Sequence, residues 1–67
     1  MSLLHYLVDL RDVSDEDHHR IEDLLNGIAE TGLQITQTPK IYECFFDEKV
    51  SVKEIPGLPA EVIHQIP

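Results

Sequence analysis

The stretch from Ser14 to Gly32 constrains the chain more than any other. Ser14 is followed by Asp15, Glu16 and Asp17, then by Ile21, Leu24, Leu25 and Ile28 at helical spacing. A serine hydroxyl can accept from the amide of the third residue on, and carboxylates in the first turn complement the positive end of the helix dipole. The spacing predicts a helix from Asp15 to about Thr31, with one apolar stripe and with Gly32 as a left-handed C-terminal cap. Such a helix cannot bury its stripe alone. In a chain of 67 residues the cover has to come from a sheet of a few strands.

The flanking segments supply those strands. Leu3–Leu10 alternates, with Leu4, Tyr6, Val8 and Leu10 on one face and Leu3, His5, Leu7 and Asp9 on the other. Leu33–Thr38, stopped by Pro39, and Lys40–Phe46 are two more candidates. In the latter, Tyr42, Cys44 and Phe46 oppose Ile41, Glu43 and Phe45. Val50–Ile55 reads as a fourth strand joined to the third by Asp47-Glu48-Lys49, which would set Phe46 opposite Val50, Cys44 opposite Val52 and Glu43 opposite Lys53. Pro59 then fits the first position of a short helix reaching about Gln65. The expectation is one small acidic α+β domain spanning residues 1–67, in the order β-α-β-β-β-α. Its antiparallel or mixed sheet has three to four strands, with a long helix across one face and a short helix at the C-terminal end.

The charge is lopsided. Thirteen acidic residues face five basic ones, for a formal net charge of -8. The densest run, Asp9 to Asp23, holds seven carboxylates against Arg11 and Arg20. Free nucleic acid and anionic membranes are repelled by such a field, whereas a basic protein surface is attracted. No apolar run approaches the ~20 residues of a membrane span. The start lacks a basic segment and meets Asp9 too soon for a signal peptide. One cysteine permits no internal disulfide, which favours a reducing cytoplasm.

Chemistry-bearing patterns are few. No P-loop, GxGxxG, GxSxG or zinc-ribbon spacing occurs, so neither a cofactor nor an enzymatic activity is expected. Asp15, His19 and Asp23 share a helix face, and His18 and Glu22 form an i, i+4 pair; these are competent metal ligands. The plainer reading is a solvated polar face, and no metal is expected. Cys44 lies between Tyr42 and Phe46 on an inward face and reads as an inert buried thiol. His5 alternates with leucines and reads as a core or interface residue.

Three functional readings follow. The first is a non-enzymatic module that docks Asp12, Asp15, Glu16, Asp17, Glu22 and Asp23 on the basic surface of a protein partner. An inhibitor of a nucleic-acid-handling complex, of the anti-CRISPR or anti-restriction kind, has this size and charge. The second is a homodimer or small subunit joined through Leu3, His5, Leu7, Ile41 and Phe45, which make too much apolar surface to leave wet. The short C-terminal helix folding over that face would be the alternative cover. The third is a small metal-binding domain built on the helix histidines.

Overall fold

The computed structural model describes residues 2–67. Its elements are β1 (Leu3–Asp9), α1 (Asp15–Ile28), β2 (Glu30–Ile35), β3 (Ile41–Asp47) and β4 (Ile63–Ile66), with single 3-10 turns at Val52–Glu54 and Ala60–Val62. The four strands form one antiparallel sheet in the order β2-β3-β1-β4, with α1 across one face. The α+β class, the four-stranded sheet and the single long helix agree with the sequence.

Alternation along β1 decides the two faces. Tyr6, Val8 and Leu10 point under the helix and are buried with Ile21 and Leu25 of α1, Cys44 and Phe46 of β3 and Ile63 of β4. The Tyr6 and Phe46 rings meet edge to face at 5.8 Å, the arrangement their quadrupoles favour. Val52, Leu58 and Val62 join this core from the segment after β3. Leu3, His5, Leu7 and Asp9 point the other way, as expected.

The helix begins as the sequence requires, with the Ser14 Oγ accepting from the Asp17 amide at 3.2 Å. It ends earlier, at Ile28, with Ala29 already extended. Gly32 does adopt the left-handed conformation (φ 71°), but inside β2. There it follows Thr31, which is also left-handed, and the two shift the β2–β3 register between Glu30 and Gln34. Asn26 holds the junction: its Oδ1 accepts from the Leu33 amide at 2.9 Å.

Two expectations about the C-terminal third are corrected. Val50–Ile55 is not a strand and does not pair with β3. All seven residues of β3 pair with β1 instead, from Leu3 opposite Asp47 to Asp9 opposite Ile41. The Asp47 carboxylate accepts from the Lys49 amide and its carbonyl from the Val50 amide, so the chain turns out of the sheet at once. Lys53 therefore never meets Glu43; its Nζ donates to the carbonyls of Ala60 and Ile63. The short helix from Pro59 to Gln65 is likewise replaced, by one 3-10 turn and by β4, whose Ile63 opposes Val8 and whose Ile66 opposes His5. A helix of so few residues has too little hydrogen bonding to offset its nucleation, whereas four residues added to an existing strand need no nucleus. The C-terminal segment therefore widens the sheet and leaves its outer face uncovered by the described residues.

Candidate acidic docking edge and open sheet face

The acidic residues singled out by the sequence separate into two groups. Asp12 sits in the turn before α1; Asp15, Glu16 and Asp17 occupy the first helical turn; Asp23 lies two turns on, and all five are exposed. At 100° per residue, Glu16, His19 and Asp23 fall on the helix side opposite the buried Ile21 and Leu25. Among the described residues, Asp12, Asp15, Glu16 and Asp23 have no cationic partner within 4.0 Å.

Asp17 and Glu22 differ. Asp17 turns along the helix to Arg20, at 3.5 Å, and Arg20 also donates to the Gly57 carbonyl. Glu22 is half-buried beside His18 and His19, at 4.0 and 3.8 Å. His18 itself turns inward, with its Nε2 3.0 Å from the Tyr42 hydroxyl. Burial and the nearby Glu22 carboxylate push the Tyr42 phenol above its ordinary range. This cluster fastens α1 to β3 through side chains of both elements. Among the described residues no three histidine, cysteine, aspartate or glutamate side chains converge on a point that could hold a metal ion.

Two acids outside the six chosen from the sequence border the edge. Glu61 lines a concavity of about 540 Å³ with Asp12, Ser14, Asp17 and Asp9. Asp9 is held by Arg11 through two side-chain bonds, at 3.0 and 2.8 Å, and through the Arg11 amide at 3.1 Å. These bonds stabilise the ionised form and bring the Asp9 carboxyl down to about 2. Glu61 lies 44 positions beyond Asp17, so only the return of the chain through Pro59 places them together.

The basic residues are largely committed to the chain itself. Arg11 serves Asp9, Arg20 serves Asp17 and Gly57, and Lys53 serves the carbonyls of Ala60 and Ile63. Lys40 and Lys49 are exposed and make no ion pair among the described residues. Lys40 sits at the Thr38–Ile41 turn and Lys49 just beyond β3, neither within the acidic run.

The second surface is the outer sheet face. The strand registers put Leu3, His5 and Leu7 of β1 and Ile41 and Phe45 of β3 on the same side, away from α1. Leu3 is 52% exposed, and the other four are half-buried. The His5 ring stacks on Phe45, with centroids 4.7 Å apart and planes 14° from parallel, and its Nε2 meets Glu43 Oε1 at 2.8 Å. β4 adds Ile66 beside His5 and His64 beside Leu7, two residues that the sequence reading did not place here. At one end of this face Leu7, Ile41 and Glu43 border a concavity of about 710 Å³ with Ile35 and the following turn, Thr36–Thr38.

Cys44 is fully buried on the opposite face, and burial pushes its thiol up to about 11. That makes it a poor nucleophile near neutral pH. Among the described residues no helix is long and apolar enough to cross a membrane. Compared with protein families, with curated proteins and with solved structures, the chain matches none.

Proposed function

We propose that this chain is a non-enzymatic protein-binding module that docks its acidic edge on a basic surface of a partner protein. One observation carries the reading. Asp12, Asp15, Glu16 and Asp23 stand exposed on α1 and the turn before it with no cationic partner among the described residues, while Arg11, Arg20 and Lys53 are bonded elsewhere within the chain. Unpaired carboxylates carried on a capped helix keep their spacing, so little conformational freedom is lost when they meet guanidinium or ammonium groups. Glu61 extends the edge; Asp17 and Glu22, tied to Arg20 and to the histidines, contribute field more than contact. A basic surface of this kind is what nucleic-acid-handling proteins present to phosphate, so an inhibitor of such a protein, in the manner of an anti-CRISPR or anti-restriction protein, is the specific form proposed.

The test is a pair of baits. The native chain and an Asp15→Lys, Glu16→Lys, Asp23→Lys variant are used side by side to capture proteins from the source cell. The reading predicts a basic protein retained by the first and lost by the second, with both baits equally folded by circular dichroism. Equal capture of the same protein by both would refute it.

A further inference from the structure

We infer that Asn26 is a self-modification site, where the side-chain amide cyclises onto the Gly27 nitrogen and then opens to aspartate and isoaspartate, loosening the junction between α1 and β2. The inference does not depend on the acidic docking edge.

Asn26 is the chain's one asparagine, and glycine follows it. Electrophile and nucleophile are therefore neighbours, and the attack that closes the ring is intramolecular. Glycine leaves the nitrogen uncrowded: even a Cβ placed on Gly27 would meet nothing within 4 Å. Both residues are exposed, so water reaches the pair and ammonia can leave it.

The fold adds a donor to the electrophile. Asn26 Oδ1 accepts from the Leu33 amide at 2.9 Å. Attack on Cγ moves negative charge onto this oxygen, where a backbone N–H already in place stabilises it. Thr31 and Gly32, both left-handed, immediately precede Leu33, so the donor sits at the irregularity of β2. Gly32 leaves room for the amide, since a Cβ there would stand 2.9 Å from Oδ1.

The helix slows the reaction without preventing it. Within α1 the Gly27 N–H faces the Asp23 carbonyl, so its nitrogen attacks only when the last turn opens. That opening costs little. Asparagine and glycine are weak helix formers, and no basic side chain serves the last turn. Ile28 is already 46% exposed, so little apolar burial is lost.

The Gly27 nitrogen gives its proton to hydroxide and bonds to Cγ. The Cγ–Nδ2 bond breaks, and Nδ2 takes a proton from water and leaves as ammonia. Water then adds to one carbonyl of the cyclic imide. Addition at Cγ restores the main chain and leaves aspartate. Addition at the main-chain carbonyl of residue 26 reroutes the chain through Cβ and Cγ, which is isoaspartate. Both products place a carboxylate at the negative end of the helix dipole. Isoaspartate also draws the former Oδ1 into the main chain, so the Leu33 amide loses its acceptor.

The test is incubation of the full chain in warm, mildly alkaline buffer, followed by intact mass and peptide mapping. The native chain should exchange its amide for an acid at residue 26 and release one ammonia per chain. Gly27→Ala, whose methyl group crowds the nitrogen and favours the helix, should react at least tenfold more slowly. Asn26→Gln, whose extra methylene spoils the ring, should keep its amide and serves as the second check. The isoaspartate form, separated by its added charge, should exchange the Leu33 amide at least tenfold faster than the native chain. A native chain that keeps its amide, whether or not the urea-unfolded chain loses it, overturns the inference. So does equal loss in a folded Gly27→Ala or Asn26→Gln variant, or an isoaspartate form with native exchange at Leu33.

Discussion

The His5 imidazole and the Glu43 carboxylate meet at 2.8 Å across two central strands, on the side of the sheet that the helix does not cover. Register makes the pair. Phe45 stands directly opposite His5, and Glu43 is its diagonal neighbour, within reach of a long side chain. Both groups are about one-third exposed, so their attraction is partly screened by water. A double-mutant cycle of His5→Ala and Glu43→Ala, read by urea unfolding, should give a coupling of about 0.5–1 kcal/mol.

Ser14→Ala removes the one side-chain oxygen that caps α1. The loss should be about 1 kcal/mol, within the 0.5–2 kcal/mol range of such caps. Because Asp15, Glu16 and Asp17 remain, the helix should fray at its first turn and not melt. Faster amide exchange confined to residues 15–18, with α1 beyond Ile21 unaffected, is the expected pattern.

Gly32→Ala should destabilise by about 1–3 kcal/mol, from left-handed strain plus a clash. A Cβ at Gly32 would stand 2.9 Å from the Asn26 Oδ1, the atom that holds the Leu33 amide. The two effects separate in the Asn26→Ala background. There the strain persists and the clash is gone, so the same substitution should cost less, as chemical denaturation of the four variants would show.

Cys44 supplies a pH prediction. Its thiol is raised in the folded state from an ordinary value of 9.0 to about 11, because burial disfavours the thiolate. Folding therefore gains from the neutral thiol in full below pH 9, and that gain fades as pH rises through 9 towards 11. A Cys44→Ala variant should show a smaller loss of stability across that window. At pH 8 a thiol reagent should label the native chain only at the rate of global opening, and urea at the unfolding midpoint should accelerate labelling sharply.

What the sequence made legible was local. Alternation in Leu3–Asp9 sorted β1 correctly into a core face and an outer face, and the five residues read as an apolar patch do share one side. The start of α1 was legible because a cap and its charges are neighbours in sequence. Its end was not: Gly32 announces a left-handed residue, but a helix cap and a strand irregularity both require one. The fourth strand was misplaced because β4 is four residues long and exists only through pairing with β1, more than fifty positions away. Pro59, a good helix-start signal, pointed the other way. The candidate edge was legible as an excess of carboxylates. Which of them are engaged was not, since Glu22 depends on Tyr42, and Glu61 on the path of the loop.

The central claim is that the exposed carboxylates of the edge make the contact with a partner. It is tested most directly by amide chemical-shift mapping of the labelled chain against the protein it captures, repeated as salt is raised. The account predicts shifts concentrated at residues 12–23 and at Glu61, with affinity falling at least tenfold between about 50 and about 300 mM salt as surface charges are screened. Shifts confined to the outer sheet face, or an affinity indifferent to salt, would contradict it.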